Sequence, residues 1–229
     1  EFFYTNSIAV DPNDFIKFDT EFREPHDAMG LTLQGPPLIP VGGGKDSAVT
    51  AGLAEEWKIP WVPFAINPSK ATRDVILAAG KSDAETVTAL RKIDPLLLRL
   101  NSEGFLNGHT PFSAAVAFYG LFAAYLCGSS DIVLSNESSA NEATIPGTHV
   151  NHQYSKTFAF EMDFRQYTRD FISPNFNYFS LLRPLTELQI ARLFCHHPEF
   201  FDVFRSCNAG SKSGEWCGVC PKCLFTWII

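Results

Sequence analysis

Positive charge is scarce in this chain. It carries 18 Lys and Arg against 25 Asp and Glu, for a formal net charge of −7. No segment gathers basic residues into a cluster. An extended nucleic-acid surface needs such a cluster to displace counterions, so that class of partner is excluded. A small anion held by a few local donors is still allowed. Long hydrophobic runs are also missing. The nearest to a membrane span, Phe112–Cys127, contains Ser113, Tyr119 and Tyr125 and reads as a buried helix. No signal peptide, internal repeat or low-complexity tract is visible. The expectation is a cytoplasmic protein with neither a membrane nor a nucleic acid as partner.

Aromatic residues, by contrast, are abundant. With 21 Phe and 45% hydrophobic residues in 229, the chain holds enough apolar material for one large domain, alone or with a small appendage. The first residue is not Met, and residues 224–229 form an apolar run that makes an unusual terminus. The expectation is a piece of a longer protein. Residues 1–35 read as the remnant of a preceding region, 36–200 as an α/β domain, and 201–229 as a cysteine-rich knuckle followed by the start of a further segment.

Within 36–200 the pattern alternates. An apolar run at 37–41 leads into a glycine loop and a helix at 48–57. A strand is expected at 59–66, with Pro60 and Pro63 marking an edge or a bulge. A charged helical stretch is expected at 83–99, broken near Pro95. Thr110 as N-cap and Pro111 as first helical residue open the helix Phe112–Cys127, and Gly128 stops it. Asp131–Leu134 reads as a short buried strand. Helices are expected at 157–171 and 185–196. The order strand, helix, strand, helix, strand implies a Rossmann-like, mostly parallel sheet with helices on both faces. Residues 135–156 form a long polar stretch that starts at the carboxyl end of a strand, where open α/β sheets bind ligands.

The glycine loop is Gly42-Gly43-Gly44-Lys45-Asp46-Ser47. Three glycines let backbone N–H groups approach a ligand that a Cβ would keep away. The following helix aims its N-terminus at the same place. Lys45 adds a cation, Ser47 a hydroxyl and Asp46 a possible magnesium partner. A Walker A loop would need its lysine later, and a dinucleotide loop would need glycine where Ser47 stands. The segment resembles the SGGxDS loop of the ATP-pyrophosphatase (PP-loop) superfamily, with Gly42 replacing the first serine. That resemblance implies an adenine nucleotide alpha hydrolase fold and cleavage of ATP between its α- and β-phosphates. A plain strand-to-helix turn is the alternative.

Cys207 precedes a tight Cys217-x2-Cys220-x2-Cys223 series. Four thiolates in reach of one another suit a structural zinc ion. Disulfides and an iron–sulfur cluster are the alternatives. Lying far along the chain from the glycine loop, this centre is expected to be structural. Cys127 and Cys195 read as buried core thiols.

In the polar stretch, His149, His152, Glu137, Glu142, Tyr154 and Lys156 are candidates for proton transfer, with His152 and Lys156 favoured for their polar neighbours. Asn136, Glu137, Asn141 and Glu142 follow the strand and are candidates for binding substrate or magnesium. Arg183 is a candidate anion holder. His109 is a phosphate candidate or a helix-capping neighbour, and His196 and His197 read as helix-end residues.

A PP-loop followed by an apolar-Pro-Leu turn and the four cysteines is similar to 7-cyano-7-deazaguanine synthase. Longer phrases point elsewhere: Leu134 to Glu142, Val150 to Lys156, Tyr178 to Leu185 and Trp216 to Phe225. They resemble the UDP-N-acetylmuramoyl-L-alanyl-L-glutamate epimerase family over most of residues 38–229. The resemblance implies a cytoplasmic peptidoglycan-precursor enzyme that uses ATP and magnesium to invert a terminal L-Glu, releasing AMP and pyrophosphate. Another adenylating PP-loop enzyme is the runner-up. A zinc-stabilised binding module is the alternative from a different class.

Overall fold

The computed structural model describes residues 2–11, 14–17, 19, 21, 26–108, 111–145, 147–148, 150–151, 153–210 and 213–229. Five strands, β1 (Leu38–Pro40), β2 (Val62–Ile66), β3 (Val87–Ala89), β4 (Asp131–Leu134) and β5 (Asn177–Ser180), form one sheet in the order β3-β2-β1-β4-β5. Every pairing is parallel. The helices are α1 (Phe2–Thr5), α2 (Lys45–Glu56), α3 (Lys70–Ala78), α4 (Pro95–Ser102), α5 (Phe112–Cys127), α6 (Phe158–Phe171), α7 (Glu187–Phe194) and α8 (Pro221–Ile228). The chain runs outward from β1 to β3, then returns to the other side of β1 for β4 and β5. The strand order therefore reverses between β1 and β4, which opens a crevice at their carboxyl ends. The glycine loop leaves β1 there, and the polar stretch leaves β4.

Side chains alternate across the strands and feed two cores. Ile39 and Val133 join Val49, Val75, Ile190 and Phe200 beneath α2, α3 and α7. Leu38 and Ile132 join Ala117, Leu121, Phe164 and Tyr178 beneath α5 and α6. The expected α/β sheet with helices on both faces is thus what forms. Residues 29–35 belong to the same body: Leu31 and Leu33 pack on the second core, and the Met29 amide donates to the Ile172 carbonyl.

Several expected elements differ. The 83–99 helix is instead a 3-10 turn Asp83–Glu85, then β3, then α4, which starts at Pro95 with Asp94 as its cap. The β-branched pair Val87 and Thr88 belongs in a strand and outweighs the surrounding charge. Strand β2 starts at Val62 and lies inside the sheet, not at its edge. Pro63 is tolerated because the β3 register begins one residue later, at Phe64↔Val87, so its missing N–H breaks no rung. Helix α3 had no counterpart in the sequence reading; Ser69 caps it by accepting from the Thr72 amide. Pro111 occupies the N-cap position of α5, not the first helical one, and Thr110 lies outside the described residues. Gly128 does stop α5, in the left-handed conformation at φ 70°.

Helix α5 is only half buried. Ala117, Gly120 and Ala124 let it sit close to the sheet, while Phe118, Phe122 and Leu126 face outward. Among the described residues, no helix is long and apolar enough to cross a membrane. Cys127 is half-buried and Cys195 is exposed, so neither is the core thiol expected.

Candidate functional site

The three glycines of the loop serve different ends. Gly43 has φ +85°, and a Cβ there would meet the Thr72 amide nitrogen at 2.6 Å and the Ala71 carbonyl carbon at 2.8 Å. Glycine is required because α3 begins against it, not because a ligand fills its Cβ space. A Cβ on Gly44 would lie 3.3 Å from Ser206 Oγ. Only at Gly42 would a Cβ meet nothing within 4 Å. Gly42 is therefore where the loop opens to a ligand.

It opens onto a cavity of about 440 Å³ at the carboxyl ends of β1 and β4. Gly42, Gly44, Asp46 and Ser47 form one side, and Ser135, Asn136 and Lys156 another. A smaller cavity of about 300 Å³ adjoins at Pro40 and Gly42, walled by Phe64, Ile66, Ser69 and Phe112. In the larger cavity the charged wall residues are Lys156, Arg205, Lys222 and Asp46. Three cationic residues and one carboxylate line it, in a chain of net charge −7. Ser135 lines the same space, and its Oγ is buried with no hydrogen-bond partner among the described residues. An orphaned hydroxyl beside a helix N-terminus is the donor an anionic oxygen would satisfy.

Lys45 does not face the cavity as expected. Its side chain is 7% exposed, and Nζ donates to Asp46 Oδ1 at 2.6 Å and Glu187 Oε2 at 2.9 Å. Burial works against its charge, but the Asp46 and Glu187 carboxylates more than offset this and its pKa rises. Lys45 thus holds one oxygen of Asp46, while Asp46 itself lines the cavity. Ser47 Oγ donates back to the Gly44 carbonyl at 3.1 Å.

The four cysteines converge. Their sulfurs lie within 4.8 Å of one another, with separations of 3.9 Å for Cys207–Cys220 and Cys217–Cys223 and 3.6 Å for Cys220–Cys223. A single tetrahedral ion with Zn–S bonds of ~2.3 Å requires sulfurs about 3.8 Å apart. A disulfide would need ~2.05 Å. The donor set fits one tetrahedral ion. Backbone N–H groups of Cys217 and Gly210 lower the Cys207 thiol, and those of Cys223 and Asn208 lower Cys220 to about 5. Burial pushes Cys223 up to about 12.

This centre is not remote from the glycine loop. The Arg205 amide donates to the Gly43 carbonyl at 2.8 Å, and Ser206 Oγ accepts from the Lys45 amide at 3.2 Å. Ser206, Cys207, Asn208 and Lys222 all line the larger cavity. No local pattern points to this, because the contact spans 161 positions.

The polar stretch divides. Asn136 and Lys156 reach the cavity. Asn141 accepts from the Phe158 amide at the start of α6, and it borders a separate cavity of about 860 Å³ together with Asn151, Tyr154 and Arg183. Glu137 accepts from Ser139 Oγ, Glu142 is exposed, and neither is on the wall of either cavity. His109, His149 and His152 lie outside the described residues. Arg183 is committed to bracing: it donates to the carbonyls of Glu137 (2.9 Å) and Lys156 (2.7 Å) and pairs with Glu161 at 3.2 Å. His197 packs against Gly52 of α2, away from the cavity.

Residues 1–181 match the family model described as the MurL N-terminal domain. The chain belongs to the MurL family. Two curated relatives carry the name UDP-N-acetyl-alpha-D-muramoyl-L-alanyl-L-glutamate epimerase. That of Salinispora tropica is 38% identical over 84% of this chain and 43% of its own length. That of Xanthomonas oryzae pv. oryzae is 36% identical over 100% of this chain and 51% of its own length. The chain spans about half the length of these MurL relatives. Among solved structures, an NMN synthetase from Francisella tularensis is similar over 80% of this chain and 71% of its own, at 16% identity and a TM-score of 0.45.

Proposed function

We propose that this chain carries the ATP-activating site of an epimerase that inverts the terminal L-Glu of UDP-N-acetylmuramoyl-L-Ala-L-Glu. The observation that carries the reading is the cavity at the β1/β4 crevice. It joins an open Gly42, the start of α2, an orphaned Ser135 hydroxyl and a surplus of positive charge. Those features suit a phosphate chain, and the family supplies the acceptor.

The chemistry follows from the acceptor. An α-hydrogen beside a free carboxylate is very weakly acidic, because its removal places negative charge next to negative charge. Attack of that carboxylate on the α-phosphorus of ATP forms a mixed anhydride and expels pyrophosphate. The neutralised acyl group then stabilises the carbanion left when a base takes the α-proton. A proton returns on the opposite face, and water releases AMP. Gly42, Gly43, Gly44, Asp46 and Ser47 shape the phosphate cradle, and Lys45 holds Asp46 in place. Asp46 is the one carboxylate among the described cavity residues, which suits magnesium, an ion held by one or two carboxylates plus substrate phosphates. Magnesium would there neutralise phosphate charge. Lys156 and His152 are assigned to proton transfer and Asn136 to the substrate carboxylate. Arg183 keeps Lys156 in register through the Lys156 carbonyl. Cytoplasmic residence and zinc at the four cysteines complete the reading.

Two measurements check it. With ATP, magnesium and the UDP-linked dipeptide, nucleotide analysis yields AMP and pyrophosphate in equal amounts; ADP and orthophosphate would refute the assignment. Elemental analysis finds about one zinc per chain. Cys220→Ser lowers that content and the melting temperature together. Iron with a visible chromophore would contradict the zinc assignment.

A further inference from the structure

We infer that the four-cysteine centre is a working wall of the nucleotide site, with Lys222 as its phosphate contact; this rests on the reading of the crevice as an ATP site. Lys222 stands between two of the sulfur ligands, Cys220 and Cys223, in the first turn of α8. A lysine in the first turn of a helix opposes the helix dipole, so the position carries an electrostatic cost unless an anion lies near. Its neighbour there is the cavity that Gly42, Asp46 and Ser47 also line. Its ammonium lies over the Phe225 ring at 5.2 Å, which leaves it without a carboxylate partner among the described residues.

The other cations on or behind that wall are accounted for differently. The Arg205 guanidinium donates to the carbonyls of Gly214, Asp202 and Phe204. Lys45 is tied to Asp46 and Glu187. Lys156 approaches from the polar stretch, on the opposite side of the crevice from the cysteine centre. Lys222 is thus the cation that the cysteine centre contributes on the glycine-loop side. The main-chain bond from Arg205 to Gly43 and the Ser206 bond to the Lys45 amide bind the two segments into one frame. A metal ion that orders residues 207–223 would therefore order the phosphate site as well.

The test is calorimetric titration of the metal-loaded chain with a non-hydrolysable ATP analogue in magnesium, and separately with adenosine. Metal content is measured for each variant. Lys222→Gln weakens the ATP analogue about tenfold or more, the loss of one charge-assisted contact. It leaves adenosine affinity and metal content unchanged, and Lys222→Arg restores most of the analogue's affinity. Wild-type affinity in Lys222→Gln would overturn the inference while leaving the ATP site standing. Equal losses for the analogue and adenosine, or loss of metal, would also overturn it, since Lys222 would then be structural. A wild-type chain that binds no ATP analogue would remove the underlying ATP-site reading, and this inference with it.

Discussion

Gly43→Ala destabilises the protein by about 2–4 kcal/mol and abolishes nucleotide binding. The two costs have separate sources. At φ +85° an alanine sits in the left-handed region, at a cost of about 1–2 kcal/mol. Its Cβ would also stand 2.6 Å from the Thr72 nitrogen and 2.8 Å from the Ala71 carbon. Both are backbone atoms at the start of α3, and neither can rotate away. Either α3 shifts or the loop rebuilds, and both outcomes disturb the cavity. Gly42→Ala is the contrast. Its Cβ would meet nothing within 4 Å, so the fold is unaffected while the entrance narrows. Denaturant unfolding and ATP titration of both variants separate the effects. A Gly43→Ala protein as stable as the wild type would contradict this account of the loop.

Arg183→Ala carries a comparable cost of about 3–5 kcal/mol, because it strands a buried partner. Glu161 is 4% exposed and would lose its ion pair, while the Glu137 and Lys156 carbonyls would lose their donors. The reverse change, Glu161→Gln, keeps a polar group beside Arg183 and costs less. Since the Lys156 carbonyl is one of the stranded acceptors, activity falls beyond what the stability loss explains. Chemical denaturation of the two variants checks the order. A smaller loss for Arg183→Ala than for Glu161→Gln would contradict the bracing role.

Local features were legible and distant ones were not. The glycine loop is readable because its three glycines, the strand before it and the helix after it are contiguous. Helix α5 is readable from its apolar length and Gly128, and α6 from its aromatic amphipathic pattern. The four cysteines stand out by spacing alone. The part played by Lys45 was hidden, because its second carboxylate, Glu187, lies 142 positions away. Arg183 looked like an anion holder because its own partner Glu161 is 22 positions away, on another element. Strand β3 is three residues long among charges, too short for a period to show. Above all, nothing local tells that Ser206 meets the Lys45 amide, and with that contact missing the cysteine centre reads as structural alone.

Inversion through an activated carboxylate leaves its mark on the product itself. The UDP-linked L-Ala-L-Glu substrate is incubated in deuterated water with magnesium, with and without ATP. The product is hydrolysed, and its glutamate is resolved by hand and weighed by mass spectrometry. D-Glu forms only with ATP, carries one deuterium at the α-carbon and appears together with AMP. D-Glu formed without ATP, or AMP released while the glutamate stays entirely L, would contradict inversion by this route.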